Sequence, residues 1–160
     1  MTEIQQLLAI LDQAYNRRSW HGTNLRGSIR GVSPPQAAWR PAPSRHNIRE
    51  LVVHAAYWKY VVSRRLTGAA RGSFPLKGSN WFERSQPASE KAWRSDVALL
   101  DDMHRRLCDA VTHVSPQLLH RKSAGSKDNA FSLIAGVAAH DLYHAGQIQL
   151  LKALSRGERK

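Results

Sequence analysis

Two histidines four residues apart, His140 and His144, sit in the apolar run AAHDLYHAGQIQLLK of residues 138–152. On a helix that spacing stacks two imidazoles one turn apart on one face, where both reach the same ion. The series Leu133, Val137, His140, His144, Ile148 and Leu151 advances by three or four at every step, so the pair belongs to an apolar seam. Neutral imidazole is a ligand for zinc, nickel, copper or iron. A third ligand has to come from another helix. His54 shares a seam with Ile48, Leu51, Trp58 and Val61, and His104 shares one with Trp93, Val97, Leu100, Leu107 and Val111. By phase His54 is the first choice and His104 the second. Three histidines leave a coordination position open, which is the pattern of a catalytic rather than a closed structural site. The competing reading makes each a hydrogen-bonded core histidine, but burying several imidazoles without partners is costly.

Four segments have the helical period needed to carry these residues: about 2–18, 46–66, 89–113 and 129–154. Thr2, Ser89 and either Asp128 or Asn129 are the expected caps, and Gly68 is the expected stop of the second segment. No strand pattern stands out. The expected fold is all-α, a four-helix bundle whose long proline- and glycine-rich connections cross over and cover one end. Residues 1–160 are expected to form one domain. The stretches VSPPQAAWR and VSPQLLHRK echo each other ahead of the second and fourth helices. If the echo is structural, the helix pairs are related by a pseudo-two-fold, with His54 facing His140.

Composition narrows the function classes. No apolar run reaches the roughly 18 residues of a membrane span, and MTEIQQLLAILDQAY reads as a helix rather than a signal peptide. Cys108 is the single cysteine, so no internal disulfide forms, and a cytoplasmic location is expected. The formal net charge is +12. It comes as scattered pairs (Arg17-Arg18, Arg64-Arg65, Arg105-Arg106, Arg121-Lys122) plus the tail SRGERK. This reads as a solvated surface first and as attraction for anions or nucleic acid second. There is no signature for Ser/His/Asp catalysis and no phosphate-binding glycine loop.

Taken together, AAHDLYHAGQIQLLK, IRELVVHAAYWKYVVSRRL, SWHGTNL and QAAWRP resemble the DinB/YfiT-like family, in the same order over nearly the whole chain. The resemblance implies a four-helix bundle, often dimeric, with a divalent metal, commonly nickel or zinc, on three histidines. Carried over by position these are His54, His140 and His144. It also implies a metal-dependent enzyme, either a transferase using a low-molecular-weight thiol or a hydrolase. The alternative is a non-catalytic metal- or anion-binding module. A homodimer is expected, nucleic acid is not favoured and no membrane is involved.

Other residues have their own expectations. Trp58, one turn after His54, is placed to wall the pocket, while Trp20, Trp39 and Trp81 read first as packing residues and second as pins for connectors or lining for its mouth. Asp141 is off the histidine phase and is expected in solvent. Glu50 is also off phase, which leaves no obvious general base. Tyr143 faces a dimer partner. Cys108 is a small core residue rather than a nucleophile.

Overall fold

A computed structural model describes residues 1–84, 89–122 and 125–157. The basic tail beyond 157 therefore lies outside the described residues. Among the described residues every named element is helical, and six are α-helices.

Helix α1, Glu3–Tyr15, starts in a capping box: the Thr2 hydroxyl accepts from the Gln5 N–H, and the Gln5 side chain accepts from the Thr2 N–H. Its Ile4, Leu7, Leu11, Ala14 and Tyr15 are buried, one face at helical spacing. The connector that follows contains two short helices that periodicity did not reveal, α2 (Leu25–Ser28) and α3 (Pro34–Ala38). Each has a side-chain cap, from Asn24 and Ser33 respectively, and α3 opens on proline, whose fixed φ suits the first turn.

Helix α4, Ile48–Thr67, begins in a second capping box, Asn47 with Glu50. It ends at Gly68, whose φ of 71° is left-handed and costs glycine little. Helix α5, Glu90–Thr112, is capped by Ser89 as expected. A single 3₁₀ turn, Pro116–Leu118, follows; unlike Ser33, Ser115 makes no cap hydrogen bond. Helix α6, Ala130–Gly157, is entered through Asn129, whose side chain accepts from the Ser132 N–H at 2.8 Å.

Helix α4 packs on α5 and α6, and α1 packs on the same two helices from its own side; α2 lies on α6 and α3 on α4. The apolar core forms two clusters. One joins Leu25, Ile29, Leu51, Val52, Leu100, Met103 and Ile148. The other joins Leu7, Leu11, Val62, Leu107, Val111 and Ile134. No described helix is long and apolar enough to cross a membrane.

Candidate metal centre

The middle of α4 and the middle of α6 face each other, which brings His54 to His140 and His144. The His140 Nε2 lies 3.1 Å from His54 Nε2 and 3.0 Å from His144 Nε2. All three ligand atoms lie within 4.8 Å of one another. His54 and His144 are buried and His140 is partly buried. So the spatial grouping expected from helical phase is present, including His54 opposite His140.

What sits behind two of the rings fixes their tautomers. His54 Nδ1 donates to the Asn80 carbonyl at 2.8 Å, and His144 Nδ1 donates to the Gln147 amide oxygen at 2.6 Å. A neutral imidazole carries one N–H, so both Nε2 atoms present lone pairs to the same point. His140 Nδ1 is buried without a hydrogen-bond partner. A proton on His140 Nε2 serves only one neighbour, and a proton on Nδ1 leaves three lone pairs converging. Neither arrangement satisfies the cluster, whereas a cation satisfies all three nitrogens at once. Three imidazoles held at zinc-like bond lengths stand about 3.3 Å apart, close to the two separations found. The donor set therefore fits a divalent ion.

Burial pushes all three imidazoles toward the neutral, ligating form. For His140 burial acts first, then His144 and His54, bringing it down to about 3. His144 falls to about 4, mainly by burial. His54 is lowered by burial, which outweighs its bond to Asn80.

The segment after α4 delivers the cover. Asn80 has φ 63°, a left-handed conformation that asparagine tolerates. This turns its carbonyl to His54, while its side-chain oxygen accepts from the Trp58 indole N–H at 3.0 Å. Trp81 stacks on His54, with ring centroids 3.9 Å apart, and on its other side His46 stacks at 3.6 Å. Trp58 meets both His54 and His140 edge-on, as the expected wall. By contrast Trp20 is fully exposed and pins nothing. A cavity of about 250 Å³ leads to His140 past Trp58, Val61, Val62, Arg65 and Leu133.

The two acids that flank the histidines on α4 and α6 are committed elsewhere. Asp141 corrects the expectation of solvent exposure: it is fully buried and ion-paired with Lys59, also fully buried. Glu50 accepts from Arg40, His46, the Asn47 N–H and the Arg84 N–H. Burial works to raise its pKa, but these bonds, led by Arg40 and His46, prevail and hold it at about 2.

His104, the second choice by phase, does not join the three. It stacks on Tyr15 at 3.7 Å and lies beside Cys108 and Asp12. Burial pushes the Cys108 thiol up to about 11, with Asp12 adding to the effect, so it is not an activated nucleophile. Lys59, Asn80 and the role of Gln147 escaped the sequence. A buried lysine and a backbone carbonyl carry no residue-type signal, although Gln147 three residues after His144 is a helical neighbour.

The DinB superfamily profile matches residues 17–148, most of the chain and all three histidines. The chain belongs to the DinB superfamily. No curated protein and no solved structure gives a match. In this DinB chain the match begins at residue 17, just after α1.

Proposed function

We propose that this chain is a divalent-metal-dependent DinB enzyme. In this reading its four long helices form a bundle with crossover connections, and nickel or zinc is held by His54, His140 and His144. The observation that carries the reading is the convergence of three Nε2 atoms, two with lone pairs fixed by Asn80 and Gln147. A bound ion there supplies Lewis acidity that lowers the pKa of a coordinated thiol or water.

The chain's own residues favour the thiol. Water activation gains from a neighbouring carboxylate to take the proton, yet Glu50 and Asp141 are each tied to cations. A small thiol needs no such base once its pKa falls below ambient. Trp58, Val61, Val62 and Leu133 supply the apolar part of the approach, and Arg65, 3.9 Å from Asp128 in the same cavity, is the cation that an anionic group on the cosubstrate would meet. The reaction favoured is therefore transfer involving a low-molecular-weight thiol, with hydrolysis as the second choice. A homodimer in the cytoplasm is part of the same reading: Tyr143, Leu150 and Leu154 leave an exposed apolar strip along α6.

The premise is tested by element-resolved metal analysis of untagged protein beside a His54→Ala/His140→Ala/His144→Ala variant. The variant is expected to hold one ion per chain fewer than the wild type. Metal-free wild type whose stability ignores added nickel or zinc would sink the reading. A screen of thiol cosubstrates then separates transferase from hydrolase.

One observation favours a second reading, a binding module for anions or nucleic acid. A broad cleft of about 820 Å³ is rimmed by Arg64, Arg65, Arg71, Arg121 and Lys127. That reading requires binding that weakens steeply with salt and that depends on Arg64 and Arg65 rather than on His140.

A further inference from the structure

Helices α1 and α5 bring together a second set of ligating side chains, on elements other than those that carry the three histidines. His104 and Cys108 are one turn apart on α5, and Asp12 faces them from α1. The Cys108 Sγ lies 3.5 Å from His104 Nε2, and that nitrogen lies 3.7 Å from Asp12 Oδ1. All three ligand atoms lie within 4.8 Å of one another. A tetrahedral ion with bonds of about 2.3 Å to sulfur and 2.0–2.2 Å to nitrogen and oxygen holds its ligands roughly 3.3–3.6 Å apart. The Cys108–His104 separation has that spacing, and Asp12 reaches it from His104 by a movement of a few tenths of an ångström.

The rigidity is distributed as a site needs. His104 is 7% exposed and is held flat against Tyr15, so its Nε2 has a fixed direction. The Asp12 side chain is 41% exposed and is the movable ligand, on the side from which an ion arrives. Cys108 is intermediate in exposure. The charges match as well: a thiolate and a carboxylate offset the two positive charges of the ion, and a neutral imidazole completes the set. This matters next to Lys59, whose ammonium otherwise opposes a cation near His104.

We propose that Asp12, His104 and Cys108 form a second divalent-metal site, of the zinc class, that clips α1 to α5. Coordination breaks the S–H bond of Cys108, forms the metal–sulfur bond and releases the proton to solvent; no oxidation or reduction is involved. The thiolate selects for softer ions than the three-histidine site does.

Cobalt(II) is the probe, because a thiolate ligand gives it a near-ultraviolet charge-transfer absorption that imidazole and carboxylate do not. Cys108 is the single cysteine, so any such band reports on this site. Titration of the untagged full chain is expected to give the band, saturating at an intensity that corresponds to one thiolate-bound cobalt per chain. Cys108→Ser should abolish the band and remove one bound ion per chain. Asp12→Asn and His104→Gln should weaken it at least about tenfold in cobalt affinity. A His140→Ala/His144→Ala variant should keep the band, which separates failure here from failure of the three-histidine reading. Folding of each variant is checked by helical circular dichroism. No band at saturating cobalt in a protein with a titratable thiol would overturn the proposal. So would a band of unchanged affinity in the Asp12→Asn and His104→Gln variants, which would place the thiolate in a contact between chains.

Discussion

Lys59 on α4 and Asp141 on α6 form an ion pair in which neither side chain touches solvent. Removing two charges from water is expensive, and their attraction offsets that cost only while both remain. Asp141 Oδ1 has no hydrogen-bond partner, so the carboxylate depends on Lys59 for its compensation. Lys59→Met is expected to destabilise the metal-free fold by about 3–5 kcal/mol, and Lys59→Met with Asp141→Leu by much less. Urea unfolding of the three proteins measures this. Equal losses in the single and double variants would show that packing, not charge, holds that contact.

Acid should weaken the metal-free protein in a defined window. His140 and His144 have folded pKa values of about 3 and about 4, below the ordinary 6.5. Above 6.5 both states are neutral there and the histidines contribute no pH dependence. As pH falls below 6.5 the unfolded chain binds protons that the fold refuses, so stability falls until about pH 3–4, where the folded histidines titrate. His104, at about 3, acts in the same direction. For a chain of this size each kcal/mol shifts Tm by about 2–4 °C, so a drop on the order of 5 °C or more is expected between pH 7 and 4.5. Thermal melts in chelator test it, and a flat profile over that range contradicts the neutral-imidazole cluster.

Gln147 should matter to metal affinity more than to folding. Its amide oxygen accepts the His144 Nδ1 proton and so aims the Nε2 lone pair. Gln147→Leu is expected to weaken metal binding about 10–100-fold, as loss of an orienting partner commonly does. Competition against a chromophoric chelator reads this directly, with helical content unchanged.

Glu50 ties the cover to the site. Its carboxylate receives His46, which stacks on Trp81, and the Arg84 N–H, which anchors the far end of the covering segment. Glu50→Gln lacks the charge for Arg40 and an acceptor for one of these donors. A loss of about 2–4 kcal/mol is expected, since broken buried charge-assisted bonds cost that much. Faster metal release should accompany it. Stopped-flow chelation separates the two effects, and a variant with unchanged release uncouples the cover from the histidines.

The legible part of the site was the part written in side-chain spacing. His54, His140 and His144 each lie on an apolar seam, and seams of packed helices must meet, so phase alone brought them to one region. Asp141 departs from its phase because the histidine face is not the only buried face of α6. Helix α6 packs against α4 on one side and against α1 and α2 on others, so an off-phase residue is not a solvent-facing one. Its partner Lys59 is distant in sequence, and nothing local marks a buried lysine. Helices α2 and α3 are too short for periodicity to register, although Asn24, Ser33 and Pro34 are ordinary start signals. The Asn80 carbonyl is backbone, which any residue supplies. Its left-handed φ and the bond its side-chain oxygen accepts from Trp58 give the reasons for asparagine there.

Trp81 lies between two imidazoles, flat against His54. That placement makes an indole the optical witness of whatever occupies the three nitrogens. Ions with partly filled d shells, such as nickel, cobalt or copper, drain excitation from an indole this close, whereas zinc, with a filled shell, leaves it bright. An ion on the three histidines would thus be reported by this indole when its d shell is partly filled and pass unreported when it is zinc, and comparison with Trp81→Phe would isolate that signal from the remaining four tryptophans.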